Sequence, residues 1–258
     1  MNFNSKLAQK LLIKLKMLDN IFQQKQYGSD AKAMSSEFFV NVYTYMFIAL
    51  GISGSIAYLC GTPEFVSEYF ITFSNGKAAV SPLFYVVAFA PLGLGMLIQM
   101  AYNRLSLPVL FILFGLYATL MGLSLSTIFV VYDIGSIFTT FLTTAGSFAV
   151  MAILGYTTKT DLTKFGSLLY MAFIGIFIAG IVNYFMGSEM ISFWISVIGV
   201  FVFTGLTAYE MQRLKYIGED PNIGHLDKKK LSLIGGLMLY ILFINLFLSL
   251  LRLMGSRD

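Results

Sequence analysis

Seven stretches of the chain are long and apolar enough to cross a bilayer, and this pattern limits the fold more than any other feature. A helix needs about 20 apolar residues to span a hydrocarbon core of about 30 Å. Residues 38–59, 83–102, 107–131, 165–186, 191–209 and 231–251 meet that requirement plainly. A further stretch, 136–156, is milder because it carries Thr139, Thr140, Thr143 and Thr144. Threonine hydroxyls bond back to their own helix and are tolerated in lipid. Composition agrees: 57% of the residues are hydrophobic and 12% charged, too few polar groups to cover a soluble domain. The expected fold class is an all-α membrane protein, a seven-transmembrane-helix bundle over residues 37–258. The same composition excludes a disordered chain. Cys60 and His225 are each alone in their type, which excludes an internal disulfide and a zinc site of Cys and His.

The breaks between stretches follow helix chemistry. Gly61, Thr62 and Pro63 end the first, and Ser81-Pro82 opens the second. Thr160 or Asp161 is placed to cap the fifth. A long polar loop is expected over 215–230, and no second domain. The basic residues then orient the bundle. With seven spans, fourteen of seventeen fall on the side of the N-terminus: Lys6, Lys10, Lys14, Lys16, Lys25, Lys32, Arg104, Lys159, Lys164, Arg213, Lys215 and Lys228 to Lys230. Lys77, Arg252 and Arg257 fall on the other. The expectation is a cytoplasmic N-terminus and an outside C-terminus. Within the basic segment 1–36, Leu7, Leu11, Leu15 and Leu18 recur at helical spacing beside Lys6, Lys10 and Lys14. Residues 5–22 therefore read as an amphipathic helix on an anionic leaflet, or as a leader that only satisfies the charge rule. A net charge of +4 is too small to argue for nucleic acid.

Enzyme parts are scarce: there is no nucleophile elbow, metal-binding His pair or phosphate loop. His225 reads as a solvated loop residue, and retinal chemistry lacks a lysine inside the last span. The functional signal is the ionisable residue in a span, by default a hint of an ion or proton path. Glu210, near the end of the sixth stretch, is that residue. It is equally readable as a boundary acid paired with Arg213, about 4.5 Å along the helix. Arg104 is a second candidate, either as counter-charge to Glu210 or as an anchor snorkelling at a tight turn. Gln99, Asn183 and Asn245 are uncharged polar groups within spans, where interhelical bonds are their ordinary use. Gly175 with Ala179, and Ala145 with Ala149, fit small-residue packing faces.

Several segments resemble the Bax inhibitor-1 family, bacterial branch. They are Gly122-Leu123-Ser124-Leu125-Ser126, Phe141-Leu142-Thr143-Thr144-Ala145-Gly146-Ser147-Phe148 and Gly155-Tyr156-Thr157-Thr158-Lys159-Thr160-Asp161-Leu162. Gly205-Leu206-Thr207-Ala208-Tyr209-Glu210-Met211-Gln212 is similar to the family's sixth-helix motif, and Phe243-Ile244-Asn245-Leu246-Phe247 to its seventh. The match runs in order from about residue 81 to 252. It implies a bundle with the last helix central, in a bacterial inner membrane, acting as a pH-sensitive calcium leak that needs no bound cofactor. That leak depends on two acids, one in each of the last two helices, and two close carboxylates cannot both ionise cheaply. Glu210 matches the first. The second position holds Leu242, and the stretch 231–251 contains no acid. A shared-proton pair cannot form, and calcium would meet one carboxylate where its sites gather several oxygens. Glu210, Arg213, Arg104 and Asn245 are the expected ion-path residues, with Glu210 the one metal-facing group. The expected role is a cation leak or stress homeostasis with altered pH gating. The rival is a non-conducting partner that modulates a membrane protease or another membrane or stress-response complex, docked through the N-terminal segment and the 215–230 loop.

Overall fold

The computed structural model describes residues 34–74 and 77–256; the expected amphipathic helix over 5–22 lies outside them. Among the described residues seven helices are long and apolar enough to cross a membrane, and they coincide with the seven stretches. In chain order the elements are α1 (Met34–Cys60), α2 (Pro63–Phe70), β1 (Ile71–Ser74), β2 (Lys77–Val80), α3 (Pro82–Ala101), α4 (Leu107–Leu125), α5 (Ile128–Val131), α6 (Ile134–Thr157), α7 (Thr163–Met186), α8 (Glu189–Glu219) and α9 (His225–Met254).

The connection after α1 holds structure that hydropathy does not reveal. Thr62 caps α2 by accepting from the Phe65 amide at 3.2 Å, with Pro63 in the first turn. β1 and β2 pair antiparallel with Ile71 opposite Val80. Ser81 donates to the Tyr69 carbonyl at 2.7 Å and accepts from the Phe84 amide, joining this unit to α3. The third apolar stretch is interrupted rather than continuous. Between α4 and α5, Ser126 and Thr127 return their hydroxyls to the carbonyls of Leu123 and Ser124, and Ser124 bonds the Val87 carbonyl of α3 at 2.7 Å. These hydroxyls satisfy backbone groups that lipid would leave unpaired. In α6, Thr143 and Thr144 bond back one turn to Thr139 and Thr140, which explains how a threonine-rich stretch spans. Asp161 accepts from both the Thr163 amide and hydroxyl before α7. These bonds hold its carboxyl below the ordinary range, so this support is present at neutral pH and is withdrawn only in strong acid.

The expected polar loop over 215–230 is largely helical, and only Asp220 to Gly224 separates α8 from α9. Both helices continue past their apolar stretches because their facing sides stay packed: Leu214, Gly218, Lys228 and Ser232 are all buried. Lys228 donates to the Gly218 carbonyl at 2.8 Å, closing the last turn of α8. His225 is accordingly the first residue of α9 rather than a loop residue. Its Nε2 lies 3.5 Å from Glu37 of α1, with both side chains about half exposed.

The last helix is central. Its apolar window is 78% buried, against 6–39% for the other six. Close approaches occur at glycines. A Cβ on Gly155 of α6 would strike the Ala208 backbone of α8; one on Gly236 of α9 would meet Val42 and Tyr45 of α1; one on Gly122 of α4 would meet Ser53 and Ile56 of α1. The small-residue face expected at Gly175 is not a packing face of this bundle, since nothing lies within 4 Å of a Cβ there. That side of α7 is exposed. A pair of substitutions tests the packing. Gly155→Ala is expected to lower stability by about 1–3 kcal/mol through overpacking. Gly146→Ala, where a Cβ meets open space, stays within about 0.5 kcal/mol. Thermal unfolding in detergent separates the two.

Candidate functional site

The site is built on the last three turns of α8, beyond the stretch that hydropathy marks. Glu210 is 1% exposed. A lone carboxylate at that depth is costly unless paired. Arg213, one turn along the same helix, supplies the pair: its Nη1 reaches both Oε1 and Oε2 at 3.2 Å. The Arg213 side chain is 44% exposed, so the pair runs from the sealed interior to an accessible guanidinium. Tyr170 of α7 packs edge-to-face with Tyr209, the residue before Glu210, at 6.0 Å. Of the two sequence readings, the pairing with Arg213 is present, and the acid is buried rather than at an open boundary.

The register between α8 and α9 sets its depth. A Cβ on Gly199 would meet Ser249, and one on Gly235 would meet Leu214. In antiparallel helices these contacts put position 210 level with about position 239, roughly 4.5 Å from the level of 242. Side chains lean toward the N-terminus of their helix, which carries the Glu210 carboxylate toward the level of Leu242. Leu242 is buried. The continuation of α8 to Glu219 leaves the acid inside a packed helix rather than at its end.

The other expected residues lie apart. Arg104 is exposed in the turn between α3 and α4 and makes no ion pair among the described residues, so the counter-charge to Glu210 is Arg213. Asn245 is spent on its own helix, donating to the Ile241 carbonyl at 2.8 Å. Asn183 does bridge helices, donating to Ser192 at 2.7 Å and accepting from the Ser188 amide. Gln99 is exposed near the end of α3. Among the described residues no three His, Cys, Asp or Glu side chains gather as a metal site.

Two attachments were not legible in the sequence. Buried Gln212 accepts from the Leu162 amide and donates to the Thr160 carbonyl, both at 2.8 Å. Lys215 donates to the Tyr156 carbonyl at 3.0 Å. Together they tie the α6–α7 connection to α8 beside the ion pair. The one signal in the chain was the neighbourhood of two family-like segments, 155–162 and 205–212. A cavity of about 840 Å³ lies between α1, α6 and α8 at this end of the bundle. Met211 lines it and accepts a long hydrogen bond from Tyr43; Glu210 itself does not line it.

Comparison with known proteins adds to this geometry. The family model described as "Inhibitor of apoptosis-promoting Bax1" matches residues 35–258. The chain is similar to Inner membrane protein YbhL of Escherichia coli, 40% identical over 85% of this chain and 92% of that protein. An uncharacterized protein of Borreliella burgdorferi is 42% identical over 87% of this chain and 94% of its own length. An uncharacterized membrane protein of Streptococcus pyogenes is 33% identical over 86% and 94%.

The ion pair makes an asymmetric prediction. Arg213→Met strands a buried charge and is expected to cost about 2–4 kcal/mol, the low side of the usual range because the guanidinium is partly solvated. Glu210→Gln should cost less, and the double substitution should recover most of the loss. Detergent unfolding of the three variants as a double-mutant cycle reads this directly.

Proposed function

The chain belongs to the Bax inhibitor-1 family, and on that premise we propose that it is a bacterial inner-membrane cation leak, closed in this structure by the Glu210–Arg213 pair. The observation that carries the reading is a carboxylate 1% exposed whose two oxygens are both held by a solvent-facing arginine. In this reading a cation approaching from the Arg213 side competes with the guanidinium for Glu210. Protonation of Glu210 removes the attraction and frees Arg213. One acid replaces the shared-proton pair that the family resemblance implies, because Leu242 stands at the second position. Release then depends on a single titration, so flux is expected to respond to pH more shallowly than in a relative with both acids. Calcium is the expected cargo, and stress homeostasis the expected setting.

The orientation that goes with this reading has the N-terminus, Arg213 and the α8–α9 turn in the cytoplasm. It follows from the lysine and arginine distribution.

The test is calcium flux in proteoliposomes across pH. Arg213→Ala is expected to raise flux at neutral pH about fivefold, the factor carried by roughly 1 kcal/mol of a half-exposed pair. Glu210→Gln should flatten the pH response. Leu242→Asp should steepen it, because it restores a second carboxylate near the depth of the first. Flux indifferent to all three substitutions sinks the gating reading, and absence of flux from the intact protein sinks the leak.

A further inference from the structure

The cavity of about 840 Å³ between α1 and α6 takes no part in the ion-pair mechanism. Its volume falls within the range of about 300–1,000 Å³ typical of sites that enclose small ligands. Its walls are mainly apolar, with Phe39 and Val40 of α1, Ala152 and Ile153 of α6 and Met211 of α8, and turn polar at Ser35, Ser36 and Thr157. Val40 is 61% and Ile153 62% exposed, so the slot is open on the outer side of α1 and α6 as well as at the polar end of the bundle. On its outer side an apolar slot in a membrane bundle meets acyl chains, not water.

Two charges lie at or beside the slot. Lys215 does not line it, but its ammonium bonds the carbonyl of Tyr156, a lining residue, at 3.0 Å and lies 5.1 Å from the centre of the Tyr156 ring. Glu219 also lines the cavity. It lies four residues on along α8, about 6 Å of rise on the same face. Both residues belong to the polar end of α8, beyond its apolar stretch. Among the described residues neither forms an ion pair, with the other or elsewhere. An anion on the slot and a cation one helical turn before it, held beside the slot by Tyr156, complement a headgroup that carries both charges.

We propose that this cleft binds phosphatidylethanolamine, with an acyl chain in the slot, the phosphate against Lys215 and the headgroup ammonium donating to Glu219. The charge pair sets the selectivity. Phosphatidylcholine has no N–H to donate to Glu219. Phosphatidylglycerol brings no cation, and its phosphate sits near an unanswered carboxylate. The site uses neither Glu210 nor Arg213, so it stands or falls apart from the leak reading.

The experiment is native mass spectrometry of the full chain, delipidated in detergent and offered an equimolar mixture of the three lipids. The expected result is retained phosphatidylethanolamine at about threefold to tenfold over each of the others, the discrimination of one charge-assisted hydrogen bond in a partly solvated setting. Glu219→Lys should reverse the preference toward phosphatidylglycerol. It is an exposed change that leaves the core untouched, so it remains readable if a cavity-filling variant misfolds. Ala152→Trp should reduce bound phosphatidylethanolamine about tenfold. Equal retention of the three lipids overturns the proposal, as does an unchanged preference in Glu219→Lys. So does a several-fold rise in phosphatidylethanolamine on deletion of residues 1–30, which would make the chain's own N-terminal segment the occupant.

Discussion

An apolar helix gains little by leaving lipid for a bundle interior, because acyl chains are as apolar as leucine. What holds α9 at the centre must therefore be close packing and polar contact. Both are present. Gly235 and Gly236 let α8 and α1 approach it, Gly199 of α8 receives Ser249, and Lys228 reaches across to the end of α8. With α9 enclosed, α4 and α6 pack on it, α7 packs on α8 and α3 packs on α4, and the outer faces are free to be lipid-like. The exposed Phe, Ile and Met side chains of α3, α6 and α7 are the consequence. They line the surface that lipid solvates.

The same enclosure makes Glu210 consequential. A carboxylate on an outer face would escape toward headgroups, whereas one on α8 beside α9 has no such route and takes Arg213 from its own helix. The neighbouring side chains are used just as locally: Gln212 and Lys215 hold the α6–α7 connection down on α8. Four consecutive functions, interior acid, cavity wall, loop clamp and solvent-facing cation, occupy residues 210 to 213. That density exists because α8 runs ten residues beyond its apolar stretch while remaining packed.

Much of the fold was legible because bilayer thickness imposes a length on apolar stretches, and all seven spans match it. The polar connections were less legible. The α2 helix and its hairpin carry no membrane-length signal, and the reach of α8 and α9 into the polar 215–230 region depends on two helices packing on each other. The split of the third stretch at Ser126 and Thr127 rests on hydroxyl-to-carbonyl bonds, which hydropathy does not count. Gly175 misled for the complementary reason: a small residue permits close approach but does not say whether a neighbour is there, and Gly155 has one where Gly175 does not.

For the site, the chain alone determined which residue is anomalous. Glu210 is an acid at the end of an apolar stretch, because charge and its cost in lipid are written in composition; that Leu242 stands where a second acid would pair with it is implied only by the family resemblance. Its burial, its depth beside Leu242 and the choice of Arg213 over Arg104 as counter-charge were decided only by tertiary structure. Those depend on how far α8 continues and on the register it takes against α9. That register is set by which glycines meet which side chains across the interface, a relation between distant residues that no local pattern encodes.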